Sequence, residues 1–105
     1  MSNEIKIPFR DDMVKACLHE GKRCTTRYKK YGETGDRFLV GSRWFVITNV
    51  ARVRLKKVME RYYLAEGFST MGEFVDVWTQ IHPKRGFRME DMVWVHFFKE
   101  ADDER

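Results

Sequence analysis

The chain has 105 residues, of which 43% are hydrophobic and 34% charged, with a formal net charge of +4. That length fits one folded domain, expected to span 1–105, and leaves no room for a second core; the composition excludes an intrinsically disordered chain. No apolar run approaches the roughly 20 residues needed to cross a bilayer. The segment Met1-Ser-Asn-Glu-Ile-Lys6 lacks the apolar stretch of a secretory signal, so a cytoplasmic location without a membrane partner is expected. Cys17 and Cys24 have no partners of ligand spacing and read as reduced structural thiols; no metal and no other cofactor is expected. The charge is unevenly spread. Residues 100–105 hold four acids and one base, so the remainder carries 19 basic against 12 acidic side chains. The acidic tail reads as a frayed, solvating end, and the basic body suits a phosphate-bearing partner.

In chain order, Ile5 to Phe9 alternates and predicts a first strand, confined to a sheet edge or end by Pro8. Asp11 or Asp12 then caps a short helix in which Met13 with Cys17, and Val14 with Leu18, form i,i+4 pairs. Gly21 ends that helix in the left-handed conformation and delivers the chain to Lys22. Cys24 to Arg27 predicts a short strand with Thr25 and Arg27 on one face. Tyr28 to Gly35 is a polar loop. Gly35-Asp36 turns into a strand over Arg37 to Val40, and Gly41-Ser42 turns out of it.

The longest strand pattern runs from Trp44 to Leu55. Phe45, Ile47, Ala51, Val53 and Leu55 share one face, interrupted only by Asn49, with Arg52 and Arg54 opposite. Val58 to Glu66 has helical spacing, and Gly67 stops it. Thr70 with Glu73 forms a capping-box pattern that opens another helix, along which Phe74, Trp78 and Ile81 recur until Pro83. Met92 to Phe98 is mostly apolar and predicts a central last strand. Trp44, Trp78 and Trp94 are expected in the core. About five strands with two or three short helices, not in regular alternation, indicate an α+β domain. A small, mostly antiparallel, partly closed β-barrel with appended helices fits best.

The common phosphate-loop, dinucleotide, zinc-protease and serine-hydrolase signatures are absent. His19, His82 and His96 lack ligand spacing and read as structural, although His96 alternates with the apolar residues of its strand and could face a cleft. What remains is Lys22-x-x-Thr25-x-Arg27, an ammonium just beyond a helix end followed by a hydroxyl and a guanidinium on one strand face. Arginine offers a bidentate fork to phosphate or carboxylate, lysine a mobile point charge, and threonine a small donor and acceptor. A solvated basic strand without a special role would have the same pattern. Around it, Arg23, Tyr28, Lys29, Lys30 and Tyr31 interleave charge with aromatic rings, as in surfaces that pair phosphates and stack bases. Arg52, Arg54, Lys56 and Lys57 form a second basic stripe.

The segment Glu20-Gly-Lys-Arg-Cys-Thr-Thr-Arg27 resembles the GxKxxTxR motif of ASCH domains, a PUA-like family. Gly35-Asp36-Arg-Phe38 falls where that family leads into a strand. Glu66-Gly-Phe-Ser-Thr-Met-Gly-Glu-Phe74, with Trp78, resembles the family's EGFxSxEEFxxxW helix. These matches span about residues 7 to 98; one departure is that the family glycine two places before the lysine is Glu20 here, with Gly21 one place later. The resemblance implies a PUA-like barrel whose cleft, lined by the Lys22 strand and the Glu66 region, binds RNA or a modified nucleoside. A protein partner is not indicated.

The resemblance also implies an alternative. Small single-domain bacterial members include N4-acetylcytidine amidohydrolases, whose acting lysine, threonine and glutamate map onto Lys22, Thr25 and Glu66. Cleaving that exocyclic amide would use Thr25 as nucleophile, Lys22 as base and Glu66 as the acid for the departing nitrogen. A lysine serves as base only with a depressed pKa, toward which burial and the like charges of Arg23 and Arg27 would both work. Arg27 would orient the base or hold the developing oxyanion. Whether the chain is an enzyme or a binding module stays open at this point. The departure at Glu20 and the broad basic surface favour binding.

Overall fold

The structure is a computed structural model that describes residues 3–101. Its strands are β1 (Glu4–Ile5), β2 (Cys24–Arg27), β3 (Arg37–Val40), β4 (Arg43–Arg54) and β5 (Met92–Glu100). Its helices are α1 (Asp11–His19), α2 (Leu55–Arg61) and α3 (Met71–Ile81). The strands form one sheet in the order β1-β3-β4-β5-β2, antiparallel except for the parallel β1–β3 pair. The α+β, mostly antiparallel architecture is the expected one. The two edge strands, β1 and β2, do not pair with each other, so the barrel is left open between them.

Both faces of the sheet are covered, which is why β5 reads as nearly continuous apolar sequence. One core holds Ile7, Cys17, Phe38, Val40, Phe45, Ile47 and Phe98 and ties α1 to the sheet. The other holds Cys24, Leu55, Val58, Phe74, Trp78, Val93 and Val95 and ties down α2 and α3. Alternation along β5 sends Val93 and Val95 to the second core, and His96 and Phe98 to the opposite face.

Several boundaries differ from expectation for identifiable reasons. Strand β1 stops at Ile5; Ile7 is buried in the core, but the chain from Lys6 to Arg10 makes no ladder. Neither Asp11 nor Asp12 caps α1: Arg10 holds that position without a side-chain cap bond, and both acids lie in the first turn, where the helix dipole favours them. The interruption read at Asn49 is a β-bulge, with the register shifting between Ile47 and Asn49. Before it Phe45 and Ile47 face the first core; after it Val50 packs there and Val53 packs on the second, so the apolar residues of β4 do not share one face.

Leu55 begins α2 rather than ending the strand. It is fully buried, and its amide donates to the Asp91 carbonyl. Helix α2 ends at Arg61, so Glu66 lies beyond the helix in a turn completed by Gly67 at φ +103°. The capping box at α3 forms as read: Thr70 Oγ1 accepts from the Glu73 amide at 3.1 Å, and Glu73 Oε1 accepts from the Thr70 amide at 3.3 Å. Glu100 belongs to β5, and the Ala101 amide donates to the Trp44 carbonyl, so the expected fraying does not begin at residue 100. The rest of that acidic tail lies outside the described residues. Trp44 and Trp94 are half-buried instead of core, with Arg37 over the Trp44 ring and both Lys30 and Arg52 over that of Trp94. Among the described residues no helix is long and apolar enough to cross a membrane.

Candidate functional site

Gly21, at φ +78°, turns the chain back after α1, and the Lys22 amide closes on the Ala16 carbonyl at 3.1 Å. The lysine side chain is thereby directed inward, where it is only 2% exposed. Its Nζ donates to the Glu66 backbone carbonyl at 2.8 Å and to Glu66 Oε1 at 3.1 Å. The turn carrying Glu66 is fastened to the start of β2, because the Arg23 and Cys24 amides both donate to the Ala65 carbonyl. Glu66 Oε2 accepts from Thr26 Oγ1 and, at 3.6 Å, from Cys24 Sγ. Burial, reinforced by the Glu66 charge, pushes the Cys24 thiol well above its ordinary pKa, so it is a protonated donor and no nucleophile. A buried ion pair of this kind is a poor device for stability, since taking both charges out of water offsets their attraction. Its place at the floor of a cavity gives it another use.

That cavity, of about 540 Å³, opens beside β2 and is in the size range of small-molecule sites. Pro8, Phe9, Arg10 and Met13 wall it on one side, and Phe68, Phe74, Val77, Trp78 and His82 on the other. Arg27 crosses its margin with its guanidinium between the Phe9 and Tyr31 rings, at 5.2 and 5.4 Å from the centroids. Its Nε donates to Thr25 Oγ1 at 3.2 Å and its Nη2 to the Pro8 carbonyl at 2.7 Å. Because Arg27 fills an acceptor position on Thr25, the threonine hydroxyl keeps its proton free to donate. Tyr28 is fixed at its far end, donating to Asp91 Oδ2 at 2.6 Å; its ring meets Trp78 and His82 edge-on. Asp91 also receives two bonds from Arg85, which with the Tyr28 hydroxyl hold its carboxyl down at about 2.

Of the residues singled out by sequence around the motif, Lys22, Thr25, Arg27, Tyr28, Lys29, Tyr31 and Glu66 line this cavity. The structure brings Lys22 and Glu66 into contact, while among the described residues no hydrogen bond joins Lys22 to Thr25. Arg23 turns away from the cavity, and its Nη1 donates to the Lys22 carbonyl. Lys30 points to Trp94 and pairs with Glu33. Arg52 and Arg54 lie outside the cavity, along an open groove with Lys56 and Lys57; Arg54 pairs with Glu90 at 3.0 Å. The register nevertheless aligns Arg27, Trp94 and Arg52 across one sheet face, so the two basic stripes meet at Trp94.

Thr26 and the apolar walls were not legible as site residues. Thr26 alternates with Thr25, and a strand at a sheet edge presents both of its faces to whatever lies beside that edge.

His96 is fully buried behind Thr25. Its Nε2 accepts from the Tyr31 amide at 3.0 Å, so Nδ1 carries the proton and donates to the Thr25 carbonyl at 3.2 Å. Burial lowers its pKa, with Arg27 and Lys30 adding to the shift. A histidine kept neutral by the fold supports stability above its unfolded pKa of about 6.5, and that support is lost as pH falls through the folded value. His82 is shifted the same way by burial, so the contribution of His96 needs a variant. The urea midpoint of the parent should drop more between pH 7.5 and 5.5 than that of His96→Gln, and equal drops would contradict the assignment.

Comparison of the sequence with protein-family models and with curated proteins finds no match. Among solved structures, an ASCH domain from Lactobacillus crispatus superposes with a TM-score of 0.69 at 16% identity, over 94% of this chain and 79% of that one. A mutant ASCH protein from Zymomonas mobilis gives 0.66 at 11% identity, covering 96% and 76%. A protein from Enterococcus faecalis gives 0.64 at 18% identity, covering 97% and 81%. At these identities the likeness establishes a shared fold.

Proposed function

We propose that this chain, which has the fold of ASCH domains, uses the cleft beside β2 to bind a nucleobase carried by RNA or by a modified nucleoside. The observation that supports this reading is a buried polar floor, Lys22, Glu66 and Thr26, under flat apolar and aromatic walls. A planar ring with polar edges needs both: stacking surface for its faces and fixed donors and acceptors for its rim. Beside the cavity, Arg27, Lys30 and Arg52 gather three cations around the half-buried Trp94 ring, a combination suited to phosphates. Titrating a labelled oligoribonucleotide at two salt concentrations tests the reading. If about six phosphates are engaged, affinity should fall by about three orders of magnitude between 50 and 200 mM salt. Absent or salt-independent binding would sink the RNA reading.

The Lys22–Glu66 contact supports a second reading, hydrolysis of an exocyclic amide such as that of N4-acetylcytidine. Transfer of one proton from Lys22 Nζ to Glu66 Oε1 turns the ion pair into a neutral amine and a carboxylic acid, both of which the chemistry requires. The amine then takes the Thr25 hydroxyl proton as Oγ1 attacks the acetyl carbonyl. The Glu66 acid protonates the departing nitrogen, and water afterwards cleaves the acyl-threonine to release acetate. Incubation with N4-acetylcytidine followed by chromatography should yield cytidine, and Lys22→Ala and Thr25→Ala should yield none. Cytidine formed equally by those variants would remove Lys22 and Thr25 from these roles.

A further inference from the structure

Strand β2 ends the sheet, and its outer edge opens into the cavity. In an antiparallel pair, alternate residues point their amide and carbonyl toward the partner strand and the others point away. The Phe98 amide donates to the Arg23 carbonyl, and Thr25 and Arg27 sit opposite His96 and Trp94. Arg23, Thr25 and Arg27 therefore bond to β5, while Cys24 and Thr26 direct their backbone groups outward. The Cys24 amide is taken by the Ala65 carbonyl. Among the described residues, the Thr26 amide and carbonyl have no partner at that edge, although Thr26 is only 6% exposed. Unpartnered backbone groups at buried positions are rare, and here they line the cavity.

We infer that the ligand completes this edge: the Thr26 N–H and C=O read a planar ring that offers an acceptor and a donor side by side, as the Watson–Crick edge of a nucleobase does. This rests on the nucleobase reading above and adds which edge is recognised. The open stretch is short, running from the Cys24 carbonyl to the Thr26 carbonyl, closed on one side by the Ala65–Glu66 turn and on the other by the end of β2 at Arg27. An added peptide strand needs several consecutive backbone pairs, and a single ring needs one. The walls agree with that size. Phe9 packs on the first core and Phe68 and Trp78 on the second, and all three line the cavity, so a ring extending the plane of the sheet would have apolar surface against both faces.

The test is calorimetric titration of the wild-type chain with two pairs of nucleosides, cytidine against N3-methylcytidine and uridine against N3-methyluridine. Methylation blocks the ring edge and leaves the stacking faces and the sugar intact. A buried backbone group left without its partner should weaken the neutral uridine pair by about 10–100-fold; N3-methylcytidine also carries a positive charge near neutral pH, which disfavours it beside Lys22 and Arg27 whatever its edge contacts. The Thr26 amide proton should also exchange more slowly when the unmethylated nucleoside is bound. Equal affinities within the uridine pair, or unchanged Thr26 exchange at saturation, would overturn the edge assignment while leaving nucleoside binding in place. If none of the four nucleosides binds, the nucleobase reading falls and the edge assignment falls with it.

Discussion

Lys22→Met should lower the stability of the fold by about 3–5 kcal/mol and abolish ligand binding in the cleft. The substitution is close in volume, so the expected loss is electrostatic. It leaves the Glu66 carboxylate, 4% exposed, with Thr26 and Cys24 as its neutral donors and no cation beside it. The Glu66 carbonyl loses its donor at the same time. Replacing both partners, Lys22→Met with Glu66→Gln, should recover most of the lost stability, because a neutral amide carries no unpaired charge and can still accept from Thr26. Function should not return, since the double variant has neither an ammonium nor a carboxylate at the floor of the cavity. Urea denaturation of the parent, single and double variants measures the first effect and ligand titration the second. A Lys22→Met chain as stable as the parent would contradict a buried, mutually dependent pair.

Phe38→Ala should cost about 3–5 kcal/mol and loosen the site as well. Phe38 is fully buried among three other rings: stacked on Phe9 and Phe45 at 6.1 and 5.9 Å, and edge-on to Phe98 at 5.2 Å. These neighbours sit on β4, β5 and the segment before α1, so they cannot all move inward to close the hole. Phe9 is also the ring beneath the Arg27 guanidinium, and that guanidinium orients the Thr25 hydroxyl. Loss of the Phe38 ring therefore reaches the cavity through Phe9 and Arg27. The urea midpoint should fall sharply, and ligand affinity should weaken even under conditions where the variant remains folded. Phe38→Leu, which retains most of the volume, should show both effects in milder form.

The parts of this structure that were legible in the sequence are those governed by local rules. Gly21 ends α1, Thr70 and Glu73 cap α3, β2 and β3 fall where alternation and glycine turns place them, and the apolar run of β5 marks the sheet centre. The inward pairing of Lys22 with Glu66 was legible only through the resemblance, because residues 44 positions apart meet by way of the Ala65 carbonyl, which no local pattern reveals. Period-two counting failed in β4 because the bulge between Ile47 and Asn49 inserts a residue and exchanges the two faces. Leu55 fits either a strand or a helix, and its burial against α3 and β5 decided for the helix. Trp94 lies in an apolar run, a pattern that predicts core; its half-exposed ring is instead covered by Lys30 and Arg52, which arrive from other segments. Thr26 lies on the face of β2 opposite Thr25 and Arg27, so a motif that follows one strand face does not include it, and its partner Glu66 is 40 positions away.

Assigned amide spectra of the 15N-labelled chain, recorded during titration with N4-acetylcytidine, test most directly whether the cleft beside β2 is where a nucleoside binds. The structure leads us to expect saturable shifts concentrated at Lys22 to Tyr28, Glu66 to Phe68 and the Phe9–Met13 wall, with conversion to cytidine if the amide is cleaved. An unchanged spectrum, or shifts confined to the groove of Arg54, Lys56 and Lys57, would contradict it.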